Sequence, residues 1–166
     1  MGGPPDRPGN PRVDVVNLLL GDVGTHEGFT TVDLRDDANV VADVRRLPYE
    51  DESVDSVVAL DLLEHFPASQ TQQVLAEWYR VLKRGGTLTV KVPNLEMLGR
   101  WLADGYKVQP AIRNIYGGHR FGPEGAWDCH HTGWTPDTLR AELAQAGFTI
   151  LHEDRALNFT MKGWKS

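Results

Sequence analysis

The sequence predicts an α/β domain: a mostly parallel sheet of about seven strands, helices on at least one face, and the first crossover helices shortened or missing. Three observations lead there. Short apolar, β-branched runs end in glycine or aspartate, at Gly21, Asp33 and Asp43. Amphipathic helical stretches separate the later runs. Only seven residues separate Leu20 from Gly28, and five separate Leu34 from Val40. A parallel connection ordinarily takes about a dozen residues or more, normally helical.

The elements follow in order. Residues 1–12 hold Pro4, Pro5, Pro8 and Pro11 among glycines, the composition of a flexible tail; the domain is expected over 13–166. Val13–Leu20 reads as a buried strand, followed by strands at Gly28–Leu34, Asn39–Asp43 and Val54–Leu60. Ser69 and Gln72 have the spacing of a capping box. The helix after them places Val74, Leu75, Trp78, Val81 and Leu82 on one face, and Lys83-Arg84-Gly85-Gly86 suits its carboxyl end. Thr87–Val92 is a fifth strand whose alternation implies one wetter face. Asn94 caps a helix through Leu95, Leu98, Trp101 and Leu102 that stops near Gly105. Residues 105–134 read as a long loop, an insertion or lid. Thr135 and Pro136 open a helix stopped by Gly147, and Phe148–His152 and Leu157–Trp164 close the chain as strands.

Composition narrows the function classes. The chain has 166 residues, 40% of them hydrophobic and 24% charged, an ordinary globular balance. A formal net charge of -6 does not draw a phosphate backbone, which argues against a nucleic-acid partner. One cysteine, Cys129, forbids an internal disulfide and fits a reducing compartment. No apolar run approaches the roughly 20 residues that cross a bilayer. The amino terminus has no apolar core of a secretory signal, so a cytoplasmic chain without a membrane partner is expected.

In an open parallel sheet, ligands bind beyond the carboxyl ends of the strands. Gly21 permits close approach to the backbone there. Asp33 stands where a carboxylate accepts from a ribose diol, Asp43 where one accepts from the exocyclic amine of a base, and Asp61 follows the fourth strand. A single aspartate at a strand end is more often a turn former, but four such ends along one sheet edge make a coordinated set. The bases on offer are Tyr116, His119, Asp128, His130 and His131 in the insertion, with His65 near the fourth strand; histidine suits proton removal near neutral pH. Asp128-Cys129-His130-His131 also has metal-ligating types, though a polar lid is the plainer reading and no metal is expected. Trp101, Tyr106, Tyr116, Phe121, Trp127 and Trp134 would form core under the loop or a flat wall for an acceptor.

These stretches resemble the class I S-adenosylmethionine-dependent methyltransferases, which are Rossmann-like, and in particular short methyltransferases related to the ubiquinone-biosynthesis type. The likeness is carried by Val16-Asn17-Leu18-Leu19-Leu20-Gly21, Gly28 to Leu34, Ala42-Asp43-Val44-Arg45-Arg46-Leu47-Pro48-Tyr49, Val54 to Ala59, Leu63-Glu64-His65-Phe66 and Glu77 to Leu88. It continues through Ile115-Tyr116-Gly117-Gly118 and His130 to Ala146-Gly147-Phe148. The resemblance implies S-adenosylmethionine as cofactor, with S-adenosylhomocysteine as product. Gly21 would face the methionine part, Asp33 with Leu34 the ribose, Asp43 with Val44 the adenine, and Asp61 with Leu62 the methionine end. His65 would stand on the acceptor side, and His130, His119 and Tyr116 are the further catalytic candidates. The sequence departs from the family's Gly-x-Gly first turn at Asp22-Val23, and has Arg84 where proline is usual.

A methyl transfer to a small-molecule acceptor, secondary metabolite or saccharide-like, at oxygen or nitrogen, is therefore the leading expectation. The alternative is a catalytically inactive binding or assembly protein of the same fold. A nicotinamide-binding domain lacks its G-x-G-x-x-G turn here. The sheet face without crossover helices leads to the expectation of a homodimer.

Overall fold

The structure is a computed structural model that describes residues 15–120 and 128–166. The proline-rich tail, Phe121 and Trp127 lie outside the described residues. Seven strands form one sheet in the order β3-β2-β1-β4-β5-β7-β6. They are β1 Asn17–Leu20, β2 Thr30–Asp33, β3 Val40–Val41, β4 Val54–Leu60, β5 Leu82–Pro93, β6 Phe148–Glu153 and β7 Asn158–Lys165. The first five pair in parallel, and β7 runs antiparallel between β5 and β6. No helix intervenes between β1 and β2, β2 and β3, or β3 and β4, so the expected shortening of the early crossovers is found.

The registers Leu18↔Val57↔Leu88 and Leu20↔Ala59↔Val90 put these six side chains on one face, all fully buried. They form the core with Val32, Val92, Phe159 and Met161 under helices α1 (Thr71–Val81) and α4 (Pro136–Gln145). The opposite face carries Ser56, Val58, Leu60, Thr89, Lys162 and Trp164, which are half-buried or exposed. The domain thus has one helical layer against one sheet, and the alternation in β5 records it.

Two helix ends differ from expectation. Ser69 and Gln72 make no capping box: a 3-10 turn, Ala68–Gln70, precedes α1, and the Gln72 amide instead donates to the carbonyl of Glu142 on α4 (3.1 Å) and to the Glu142 carboxylate. A tertiary partner wins over the local cap. At the other end α1 stops at Val81, because Leu82 turns extended to pair with Val54 and enter the core; Gly85, at φ 77, serves the turn inside β5. The other two caps match expectation. Asn94 accepts from the Met97 amide and opens α2 (Leu95–Ala103), while Thr135 and Thr138 cap α4 reciprocally behind Pro136.

The insertion 105–134 is not all loop. Val108–Tyr116 forms α3, packed against α2. Its spacing Val108, Ala111, Ile112, Ile115 is helical. Pro110 obscured it, yet proline is tolerated in a first turn, where its missing N–H would have no partner. Residues 128–134 then run back as a strap: the amides of His131 (2.8 Å) and Thr132 (3.2 Å) donate to the Glu64 carbonyl, and Leu95 donates to Trp134.

Candidate functional site

The carboxyl ends of β1 to β4 open into a pocket of about 550 Å³. Its wall includes Gly21, Asp33, Leu34, Asp43, Val44, Asp61 and Leu62, the seven residues expected there from the sequence, together with His65. Gly21 adopts φ +73, and an added Cβ would lie 2.7 Å from Leu62 Cδ1, so any side chain there is strained and must displace Leu62. The departure at Asp22-Val23 is turned into its own loop: Asp22 Oδ1 accepts from the Val23 amide (2.7 Å) and Oδ2 stands 3.5 Å from His26.

Asp33 Oδ1 accepts from the Arg35 amide (2.9 Å), which leaves the other carboxylate oxygen for a ligand. Asp43 is placed differently. Arg45 closes on it with Nη2 (2.6 Å) to Oδ2, Nε (3.0 Å) to both oxygens and its own amide (2.9 Å) to Oδ1. The guanidinium holds the Asp43 carboxyl below the usual carboxylate range. Both oxygens are occupied, so this end of the pocket offers the guanidinium of Arg45 beside Phe66 and Pro67, groups that pack on a planar ring. The segment is pinned from α1: Trp78 Nε1 donates to the Val44 carbonyl (3.0 Å), Glu77 accepts the Leu47 amide (2.7 Å), and Arg80 donates to the Tyr49 carbonyl (2.9 Å). Asp61, at φ 52, accepts from Asn158 (3.0 Å) and pairs with Lys91 (2.8 Å).

A second cavity, of about 210 Å³, lies beyond the 3-10 turn Leu63–His65. Pro93, Leu95, Leu98, Ile115, Tyr116 and Trp134 give it an apolar wall, to which Glu64, His130 and His131 add titratable groups. Glu64 is 1% exposed, and among the described residues no other group hydrogen-bonds to either carboxylate oxygen. Burial pushes its carboxyl up to about 8. The indole N–H of Trp134 is likewise buried without an acceptor among the described residues. His65 and His130 meet edge to face with ring centroids 4.9 Å apart. Burial, with His65 alongside, lowers the pKa of His130.

Of the four catalytic candidates, the structure brings His65 and His130 together and sets Tyr116 on the wall of the second cavity. His119 lies apart, with φ 51 and Nε2 bonded to the Tyr116 carbonyl (2.8 Å). Trp101 of α2 and Tyr106 of the insertion pack on each other, and neither lines either cavity. Sequence reasoning missed Arg45 and Glu64. The signal for the first was an arginine two residues after a strand-end aspartate, and for the second the Leu63-Glu64-His65 triplet.

No curated protein matches the chain. Residues 22–90 match the family model described as "Methyltransferase domain". Many solved structures share the fold. A Pyrococcus horikoshii protein aligns at TM-score 0.66 and 22% identity, over 90% of this chain and 81% of that one. A SAM-dependent methyltransferase from Thermotoga maritima aligns at 0.62 and 16%, over 91% and 82%. A Burkholderia thailandensis 1,6-didemethyltoxoflavin-N1-methyltransferase, solved with its substrate and S-adenosylhomocysteine, aligns at 0.60 and 17%, over 92% and 72%. Residues 22–90 thus match the methyltransferase-domain model, and the chain has the fold of the S-adenosylmethionine-dependent methyltransferases.

Proposed function

We propose that the chain transfers a methyl group from S-adenosylmethionine to a small-molecule acceptor held in the second cavity. The observation that carries this reading is the convergence of all seven strand-end residues on one pocket, next to an apolar cavity, with His131 lining both and His65 on the pocket side, its ring against His130 of the cavity. A pocket of that size suits a cofactor-sized molecule. The residues fit the cofactor: a side-chain-free turn at Gly21, a carboxylate oxygen left over at Asp33, and a flat cationic and aromatic end at Arg45 and Phe66. When bound, the sulfonium supplies an electrophilic methyl group.

The protein's own work is then positioning and proton removal. Asp33 holds the ribose hydroxyls, and Val44, Arg45 and Phe66 hold the base. The apolar wall of the second cavity aligns the acceptor and excludes water. The unpartnered indole N–H of Trp134 favours an acceptor that carries an oxygen to receive it. His65 Nδ1 faces the carbonyl of Cys129 at 3.1 Å; a carbonyl only accepts, so the proton sits on Nδ1 and Nε2 keeps the lone pair. That nitrogen takes the proton of an attacking hydroxyl or amine.

Calorimetric titration with S-adenosylmethionine and S-adenosylhomocysteine, with NAD as control, tests the reading. Micromolar binding of the sulfur compounds and none of NAD is expected. Asp33→Ala should weaken that binding by about 1.5–3 kcal/mol through lost charge-assisted hydrogen bonds. A folded chain that binds none of them would favour the inactive assembly protein, a reading in keeping with the Asp43 carboxylate already taken by Arg45.

We also infer that a second copy of the chain covers the helix-free face of the sheet, where Val58, Leu60 and Trp164 lie among threonines. Sedimentation equilibrium is expected to give a dimer mass, and a monomer at every working concentration would refute it.

A further inference from the structure

We propose that Glu64, His65 and His130 form a binding site for one divalent transition-metal cation, at the wall between the two cavities. Each residue offers one ligand atom, and these atoms lie within 4.8 Å of one another. The site stands on three separate observations.

The first is the unpartnered carboxyl group of Glu64, which a bound cation would ionise by displacing its proton to solvent. A carboxyl group with 1% exposure and, among the described residues, no neighbouring side chain donating to either oxygen is a costly arrangement, and native folds seldom leave one without a purpose. A cation supplies what the surrounding protein withholds. The second is the state of the two imidazoles. His65 Nδ1 lies 3.1 Å from the Cys129 carbonyl and His130 Nδ1 lies 2.9 Å from the Asn114 carbonyl. Each ring must donate there, so each keeps its lone pair on Nε2. A backbone carbonyl behind the far nitrogen of a histidine is the usual support of a metal-binding ring, because it fixes both tautomer and orientation. The third is support by the backbone. Glu64 and His65 are neighbours on the Leu63–His65 turn, and the strap that carries His130 is fastened to that turn by the His131 and Thr132 amides on the Glu64 carbonyl. The three ligands thus belong to one braced unit.

Two nitrogens and one carboxylate oxygen select zinc, iron(II), cobalt or manganese over magnesium and calcium, which take oxygen. Three protein ligands leave a position open for a small molecule. This inference rests on the preceding reading in one respect: a cation here would make an acceptor hydroxyl more acidic, and His65 would then be a ligand in place of a proton acceptor. Its test reads the cation itself, so it stands or falls whatever a methyl-transfer assay gives.

The tag-free full chain, stripped with chelator, is titrated at neutral pH with Zn²⁺ in the calorimeter and with Co²⁺ by visible absorption. One equivalent per chain is expected, with cobalt bands of low coordination number. Glu64→Gln keeps the shape and removes the anion. It and His130→Ala should each weaken Zn²⁺ binding by roughly a hundredfold or more, since loss of an outer-shell partner alone costs about 10–100-fold. His152→Ala should leave it unchanged. Circular dichroism checks that each variant is folded, and His130→Gln and His65→Gln stand in for one that is not. No binding at micromolar Zn²⁺, a cobalt spectrum of the free aqua ion, or the same affinity in folded Glu64→Gln and His130 variants as in the native chain would overturn the site.

Discussion

A single absent methyl group shapes the pocket at Gly21. With φ +73, any other residue there costs about 1–2 kcal/mol in backbone strain. Its Cβ would also push Leu62, the far end of a flexible side chain that lines the pocket. Gly21→Ala should therefore lose about 1–2 kcal/mol of stability in a denaturant titration, and should weaken adenosylmethionine binding beyond what misfolding explains. A variant as stable and as tightly binding as the native chain would show the turn to be permissive. Gly21, Asp33 and Asp61 were legible in the sequence because a strand must end somewhere and these residues punctuate it. The clamp of Arg45 on Asp43 was not, since spacing alone does not tell which way a guanidinium turns. The meeting of Glu64 with His130 was not legible either. The two are far apart in the chain and are joined by a strap whose hydrogen bonds leave no periodic signal.

At the scale of elements, α1 does more than cover the core. Glu77, Trp78 and Arg80 hold the segment from Val44 to Tyr49, and with it the base end of the pocket, in place of an early crossover helix. The Arg80 guanidinium holds the Glu77 carboxyl below its ordinary value of 4.5. The folded state therefore favours the ionised form. The resulting stability is present in full above that ordinary value and is lost as pH falls through the lower, folded-state value. Glu77→Gln should cost about 1–2 kcal/mol at neutral pH, from charge-assisted bonds to Arg80 and the Leu47 amide that are only partly exposed. The gap to the native chain should close as the pH drops below the carboxylate range. Melting temperatures across that range check it, and a pH-independent gap would contradict the assignment. Strands and capped helices were legible because alternation, Asn94 and Thr135 are local signals. The Ser69 box failed because Gln72 found a better partner on α4, and α3 was hidden behind Pro110.

At the scale of the whole molecule, one sheet carries one layer of helices. The buried registers of β4 and β5 are fully apolar on the helical side, while Thr89 and Lys162 mark the other side. The mostly parallel order was legible from runs that end in glycine and aspartate. The antiparallel insertion of β7 between β5 and β6 was not, because the sequence shows that two strands follow α4 but not which slot each one takes. The same thinness sets a gradient of rigidity across the sheet. The outer strands β3 and β2 span two and four residues, against seven and twelve for β4 and β5. Local opening is easiest where contacts are fewest, so the amides of β2 and β3 should exchange with deuterium well before those of β4 and β5. Asp33, the proposed ribose contact, sits on that quick-exchanging edge. Adenosylmethionine should then slow exchange there most, as a ligand does wherever it binds only the closed form, and an edge already as protected as the centre would show that the short strands are held by something other than their contacts within the sheet.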